Sequence, residues 1–351
     1  MSRTRADHQS DTADSQYAFI GIDVSCAKKK RIPIVIAIKE SGSLRPLPLL
    51  EMPLKPPYGV GNRGVLEPAQ VQSYANQIAE YVQKACEYFG VTAKMIALDA
   101  PLEPRIEHIN YRLAEKSLAS KGISSFKTPS ALEFEVIREK ALQHLAIGGA
   151  LPNIPHSMQL WMLAGFEIAK ALRPLAPMIE VYPQATIRRL LPNAEHKSGV
   201  GIPALQLQAL AVQTGWPTSA DDLAKLPNIC SGAMHDKVDA YGAAWVASLA
   251  ENERESYGEG RDAIWVPKAE FLKPVSSILS LDVTAQRPKR RTKTDKLPQN
   301  NNAHQKLCPA CKAFTFKRWP FGWDAHAAHR CSGLPKGDPE ERKATFKSRY
   351  L

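Results

Sequence analysis

The sequence predicts an α/β domain with a mixed five-stranded sheet flanked by helices, followed by a small metal-binding module. Three apolar runs with short polar connections come first, and a segment of helical period then separates two further apolar runs. Cysteines and histidines at metal-ligand spacing gather near the C-terminus, after a basic stretch poor in apolar residues. A chain of 351 residues can hold one large domain and such an appendage.

The first three strands are expected to form an antiparallel meander. Residues 17–23 are an apolar run that ends on an acid, and residues 32–38 are apolar and β-branched. Residues 44–52 form a weaker run, which is interrupted by prolines. Because the connections between these runs are short, antiparallel pairing is favoured.

The fourth and fifth strands are expected to be parallel to their neighbours. After a loop at 55–68, apolar residues recur at helical intervals from Pro68 to Gly90 and predict a crossover helix. Strand 95–99 follows that helix, so it should run parallel to a neighbouring strand. A fifth strand is expected at 178–182. Further helices are expected over 103–118, 131–146, 157–172, 186–191, 204–214 and 236–249.

Carboxylates lie at the ends of several predicted elements, where they would meet at one edge of the sheet. The acids in question are Asp23, Asp99, Glu180, Asp236 and Asp239, of which the last two lie one helical turn apart. Carboxylate oxygens are the ligands that hard divalent cations prefer. Nucleases that transfer phosphoryl groups use two such ions about 4 Å apart. The five acids therefore predict a catalytic magnesium or manganese site.

Each of these acids also has a purely structural interpretation. Asp236 is a typical helix N-cap, and Asp23 and Asp99 could cap turns. Glu180 could belong to an edge strand. Asp239 is harder to explain in this way, because the small residues that follow it suit close packing on a sheet.

The order of these motifs resembles domain of unknown function family 429, which comprises predicted nucleases with an RNase H-like fold. The resemblance covers about residues 17–250. It rests on Gly21-Ile22-Asp23, Leu98-Asp99-Ala100-Pro101-Leu102, Glu180-Val181-Tyr182-Pro183 and Asp236-Lys237-Val238-Asp239-Ala240. The last motif also looks like the terminal helix of RuvC-type resolvases. The segment from Leu113 to Gly122, with Arg112, Glu115 and Gly122, is similar to the family's loosely patterned segment after the second acid.

The resemblance assigns a role to each acid. It implies that Asp23, Asp99 and Asp239 bind metal, with Asp236 as an auxiliary ligand. Glu180 matches the family's own motif, which has no certain counterpart in well-understood RNase H-like enzymes.

The six cysteines fall into two groups. Cys26, Cys86 and Cys230 are scattered among apolar neighbours and are expected to be free, buried thiols. The N-terminal residues 1–16 lack the apolar core of a secretory signal, so a reducing cytoplasm is expected. Metal binding is then favoured over disulfides for the remaining cysteines.

The second group predicts a structural zinc ion in a finger of the C2H2 or C2HC type. Two residues separate Cys308 from Cys311, a spacing that lets one turn present both thiolates to a tetrahedral ion. His326 is expected to be the third ligand. The fourth ligand is either His329 or Cys331, and the sequence leaves this open.

The formal net charge of +11 comes entirely from the C-terminal part of the chain. Residues 284–351 carry 16 basic and 5 acidic side chains, whereas the rest of the chain is balanced. A polyanion is a natural partner for such a segment, although a solvated basic tail would look the same. The residues expected to contact nucleic acid are Arg287, Lys289, Arg290, Arg291, Lys317 and Arg318.

Five segments are expected in the domain organisation. They are a disordered lead-in at 1–16, an RNase H-like domain at 17–283, a basic flexible linker at 284–306, a zinc finger at 307–334 and a charged, frayed tail at 335–351.

Together these features predict a metal-dependent nuclease whose zinc finger and basic linker recruit DNA or RNA. The alternative is a non-catalytic protein that binds nucleic acid or protein on the same scaffold. An ATP-dependent phosphotransferase is disfavoured, because no glycine-rich phosphate loop follows Asp23. No apolar stretch approaches the roughly 20 residues of a membrane helix, so no membrane partner is expected.

Overall fold

The computed structural model describes residues 16–192, 201–275, 306–311, 315–316, 326–328, 331–332, 334–335 and 337–350. The chain divides into two compact units, Met1–Gln286 and Arg287–Leu351. Apart from their last residues, the predicted lead-in and linker lie outside the described part of the chain.

A mixed seven-stranded sheet forms the centre of the first unit. Its strands are β1 (Gln16–Asp23), β2 (Ile34–Glu40), β3 (Ser43–Pro46), β4 (Val91–Asp99), β5 (Met178–Val181), β6 (Arg254–Tyr257) and β7 (Ile264–Pro267). Their order across the sheet is β3-β2-β1-β4-β5-β7-β6.

The pairing of the first five strands follows the predicted pattern, but the predicted number of strands is wrong. β1 pairs with β2, and β2 with β3, in antiparallel fashion, whereas β4 lies parallel to β1 and β5 lies parallel to β4. β7 extends the sheet parallel to β5, and β6 closes an antiparallel pair with it. β3 is shorter than predicted, because Pro46 and Pro48 cannot donate ladder hydrogen bonds.

Helices cover both faces of this sheet. They are α1 (Gly61–Val65), α2 (Pro68–Phe89), α3 (Leu113–Ser120), α4 (Ala131–Ala146), α5 (Ser157–Leu172), α6 (Pro183–Leu190), α7 (Ile202–Thr214), α8 (Ala220–Lys225) and α9 (Met234–Ser248). α1 and α8 were not predicted. The crossover helix α2 begins with proline at its first position and ends at Gly90, whose φ of 65° forms a left-handed cap.

Alternate residues of β1 pack into different cores. Ile20 and Ile22 join the core formed with α2 and α5, whereas Phe19 joins the core formed with α7 and α9. Gly21 faces α9 so closely that a Cβ atom there would lie 2.0 Å from the backbone oxygen of Ala240. The backbone of α9 therefore lies directly on β1.

Replacing Gly21 by alanine is expected to separate α9 from the sheet. Because the obstructing atoms belong to the backbone, we expect the free energy of unfolding to fall by about 1–3 kcal/mol in urea titrations. Gly242→Ala is the matched control in α9, since a Cβ atom there would lie 3.7 Å from Leu210, at an ordinary contact distance. The control should be neutral or stabilising by up to about 1 kcal/mol. Equal stability of both variants would contradict the close contact.

The second unit contains a two-stranded antiparallel sheet, β8 (Lys306–Leu307) with β9 (Thr315–Phe316), and a helix, α10 (Pro339–Tyr350). The expectation of a frayed tail is wrong. Phe346 of α10 is fully buried with Cys308 and Cys331, among other residues. Arg342 donates hydrogen bonds to the backbone oxygens of Ala327 (3.0 Å) and Cys331 (2.7 Å). The last helix thus belongs to the metal-binding module.

None of the helices among the described residues is both long enough and apolar enough to cross a membrane.

Candidate functional site

Asp23 and Asp99 lie side by side at the edge where β1 and β4 end. The two residues are direct partners in the parallel register, and both side chains are half-buried. In-register residues of neighbouring strands point to the same face, which here is the face covered by α9. The predicted neighbourhood of these two acids is therefore present.

The acids of α9 approach the same edge. Asp239 is 4% exposed and lies beside Ala240, which contacts Gly21 of β1. Asp236 accepts a hydrogen bond from the backbone N–H of Ala233 (2.7 Å). Ala233 is the N-cap of α9, so Asp236 is not the N-cap itself but the third helical residue, which closes the start of the helix from inside.

The thiol of Cys230 is buried, and its pKa is raised. Burial raises the pKa of Cys230 to about 12, and the carboxylates of Asp23 and Asp236 add to this shift, whereas Lys237 opposes it. The thiol is therefore expected to stay protonated at neutral pH.

In the described part of the first unit, these acids lie near one edge of the sheet but do not form a compact set of three or more metal ligands. Within 16–192 and 201–275, no three histidine, cysteine or acidic side chains have ligand atoms all within 4.8 Å of one another. The magnesium or manganese site stays a prediction.

Glu180 has a different position and a different partner. It is in register with Leu98, and Leu98 with Ile22, so it points to the face opposite that of Asp23 and Asp99. Arg112 donates to both carboxylate oxygens, from Nη1 at 2.9 Å and from Nη2 at 2.6 Å. Both partners are buried. This bidentate pair engages the two oxygens that the predicted metal site would need.

The surroundings of Arg112 complete a buried ion network. Arg112 also donates to the backbone oxygen of Asp262 (3.1 Å) and to Oγ1 of Thr128 (3.3 Å), and its Nε lies 3.5 Å from Oδ1 of Asp262. Burial raises the pKa of Glu180, and the Arg112 guanidinium opposes that shift. The network connects β5 to the segments before α3 and before β7.

Glu115 ties the start of α3 to the segment 122–128. Its carboxylate accepts hydrogen bonds from the backbone N–H groups of Arg112 (3.2 Å) and Thr128 (2.7 Å), and it is 5% exposed. The sequence pointed to Arg112 and Glu115 only through the family resemblance. No signal in the sequence indicated Thr128 or Asp262, which lie far from Arg112 along the chain.

The second unit contains a cluster whose geometry fits zinc. The ligand atoms of Cys308, Cys311, His326 and Cys331 all lie within 4.8 Å of one another. Sγ of Cys308 is 3.7 Å from Sγ of Cys331, and Sγ of Cys311 is 3.4 Å from Nε2 of His326. Tetrahedral zinc with Zn–S bonds of about 2.3 Å requires edges of about 3.8 Å (S–S) and about 3.6 Å (S–N).

The same geometry excludes a disulfide between Cys308 and Cys331, because an S–S bond is about 2.05 Å long. Three thiolates and one imidazole form a donor set typical of structural zinc. Among the described residues, Cys331 supplies the fourth ligand that the sequence left open. His329 lies outside them.

The remaining predictions concern three cysteines inside the described part of the chain and six basic residues outside it. Cys26, Cys86 and Cys230 are buried and free, as predicted. The basic residues proposed to contact nucleic acid lie outside the described part of the chain, so their role stays a prediction. They are Arg287, Lys289, Arg290, Arg291, Lys317 and Arg318.

Comparison of this chain with protein-family models, with curated proteins and with solved structures found no match.

Proposed function

We propose that the first unit is an RNase H-like, metal-dependent nuclease, and that the zinc-binding unit recruits nucleic acid to it. One observation carries the proposal. Asp23 and Asp99 are in register at one edge of the sheet, and α9, which carries the buried Asp239, packs on the β1 backbone beside them. The pairing pattern of β1 to β5 supports the same assignment, because it is the pattern that the family resemblance implies.

The carboxylates of Asp23, Asp99 and Asp239 would hold magnesium or manganese, with Asp236 as an auxiliary group. When bound, such ions supply an activated water molecule and neutralise charge on the leaving oxygen of a phosphodiester. The chain contributes rigid placement, since each acid lies on a different element and all three elements pack together. Hard carboxylate oxygens suit these ions.

Glu180 takes a different role in this proposal from the one the sequence predicted. Its bidentate pair with Arg112 holds β5 against the segment before α3. We therefore assign Glu180 to the support of the acid edge, and Asp99 to the metal.

A second candidate function is non-catalytic binding of nucleic acid on the same scaffold. Asp236 supports it, because its carboxylate already has a structural role as the acceptor for the backbone N–H of Ala233. The two candidates differ in whether the chain cleaves what it binds.

Cleavage of labelled single-stranded, duplex and branched DNA and RNA tests the proposal. We expect cleavage that requires Mg²⁺ or Mn²⁺, and we expect Asp99→Asn to lower the rate a hundredfold or more, since charge stabilisation at the reacting phosphate is lost. Asp221→Asn, which changes an exposed acid of α8, is the control and should cleave like the wild type.

Two outcomes would count against the proposal. Binding without cleavage under either metal would favour the non-catalytic candidate. Cleavage that survives Asp99→Asn would place the catalytic centre elsewhere.

A further inference from the structure

A cleft lies next to the acid edge and has no role in the proposed metal chemistry. Its volume is about 500 Å³, and residues from the start of α3 and from the segment 122–128 line it. This volume is in the range of typical small-molecule sites. The cleft shares Glu115 and Ser125 with a small pocket of about 40 Å³ that Asp99 also borders. The cleft and the small pocket that Asp99 borders therefore share part of their walls.

Exposed aromatic rings and lysines line the cleft and the adjoining pocket. Tyr111 in the cleft is 49% exposed, and Phe126 at the small pocket is 48% exposed. Lys116 and Lys127 also line the cleft. Nζ of Lys127 lies 5.5 Å from the centre of the Tyr111 ring and 3.1 Å from Oε1 of Glu133, with which it forms an ion pair. Single exposed aromatics are common, but two beside joined pockets with two cations are the elements that stack bases and neutralise phosphates.

The two walls of the cleft are held in place by buried hydrogen bonds. Glu115 bridges the backbone of Arg112, next to Tyr111, and that of Thr128, two residues after Phe126. Tyr182 also donates to the backbone oxygen of Ser124 at 2.7 Å. A surface fixed in this way loses little conformational freedom when a ligand binds.

We propose that this cleft binds an unpaired nucleotide of single-stranded DNA or RNA, with its base against Tyr111 or Phe126 and a phosphate near Lys116. Duplex bases are already stacked within their helix, whereas unpaired bases present a free face to an aromatic ring. The inference rests on the proposed nuclease function, because it names a single strand as the substrate of the adjoining acid edge.

Photo-crosslinking of the full-length chain tests the site locally. Oligonucleotides of bromodeoxyuridine and of 4-thiouridine would be irradiated with the protein without added Mg²⁺ or Mn²⁺, and crosslinked tryptic peptides identified by mass spectrometry. We expect crosslinks on peptides 106–112 and 122–127, which contain Tyr111 and Phe126. Unlabelled single strands should compete, and a duplex of equal length should not. Crosslinks confined to residues 307–334, or competition only by free nucleotide or by duplex, would overturn the proposal.

Variants provide a second measurement. Losing one stacked base corresponds to about a tenfold loss of affinity, so Tyr111→Ala should lower the crosslink yield on peptide 122–127 about tenfold. Lys116→Ala should lower it as well, and both variants should keep the wild-type circular dichroism spectrum. Tyr88→Ala changes a tyrosine of α2 that is 58% exposed, and it should leave the yield unchanged. Equal yields for Tyr111→Ala and Tyr88→Ala would refute the role of the ring.

Failure of this inference can be distinguished from failure of the nuclease proposal. Crosslinks at the cleft without cleavage in the presence of any metal would support the binding site and contradict the nuclease proposal. Cleavage without crosslinks on either peptide would support the nuclease proposal and contradict nucleotide binding in the cleft.

Discussion

Removing the metal from the cluster of Cys308, Cys311, His326 and Cys331 is expected to unfold the C-terminal unit, including α10, and to leave the first unit folded. Structural zinc supplies about 10–16 kcal/mol in small modules of this kind, more than a small core can replace. The buried core described here consists of only a few residues around the ligands, Phe346 among them. α10 has 12 residues, and helices of that length are marginal in water without tertiary contacts.

Hydrogen exchange followed by mass spectrometry, with and without a zinc chelator, measures this effect. Amides of α10 should lose protection together with those near Cys331, because Arg342 links the helix to the backbone there. Thiol alkylation gives an internal control. Burial raises the pKa of Cys86 to about 11 and that of Cys230 to about 12, so both should stay unreactive while the cluster cysteines become alkylated. Unchanged protection of α10 after chelation would show that the helix folds independently of the metal.

Local patterns explain which parts of this structure the sequence could predict. The acids at the ends of β1 and β4 follow directly from short apolar runs that stop at a charge, and the cysteine pair at 308 and 311 follows from ligand spacing. The strands β6 and β7 have only four residues each, too few to show a period. α10 was missed because only Phe346 among its described side chains is buried, in a segment that is otherwise mostly polar.

Local sequence patterns could not predict the partner of Glu180. A carboxylate in an apolar strand fits a metal ligand, an edge strand and a buried ion pair equally well. Arg112 and Glu180 are 68 residues apart in the chain. No sequence pattern indicates that these two residues form a buried ion pair. The structure favours the buried ion pair, because Glu180 lies on the face of the sheet opposite that of Asp99 and a shift of one position along β5 would turn it to the other face.

Breaking the buried pair by Arg112→Met is expected to lower the free energy of unfolding of the first unit by about 3–5 kcal/mol. The substitution leaves the Glu180 carboxylate buried without its bidentate partner, and it also removes the donors to Thr128 and Asp262. Urea denaturation followed by circular dichroism measures the loss. The double variant with Glu180→Leu should recover part of it, because an apolar pair of similar size carries no desolvation penalty.

An exposed ion pair provides the comparison. Lys84→Ala removes the pair with Glu80 on the surface of α2, and we expect no measurable change in the free energy of unfolding. If Arg112→Met were as mild as this control, the buried pair would contribute little to the free energy of unfolding. If the double variant were as unstable as the single one, the loss of stability would come from the missing hydrogen bonds to Thr128 and Asp262. The unpaired carboxylate of Glu180 would then not be its cause. The two comparisons thus separate the charge of Glu180 from the hydrogen bonds that Arg112 makes around it.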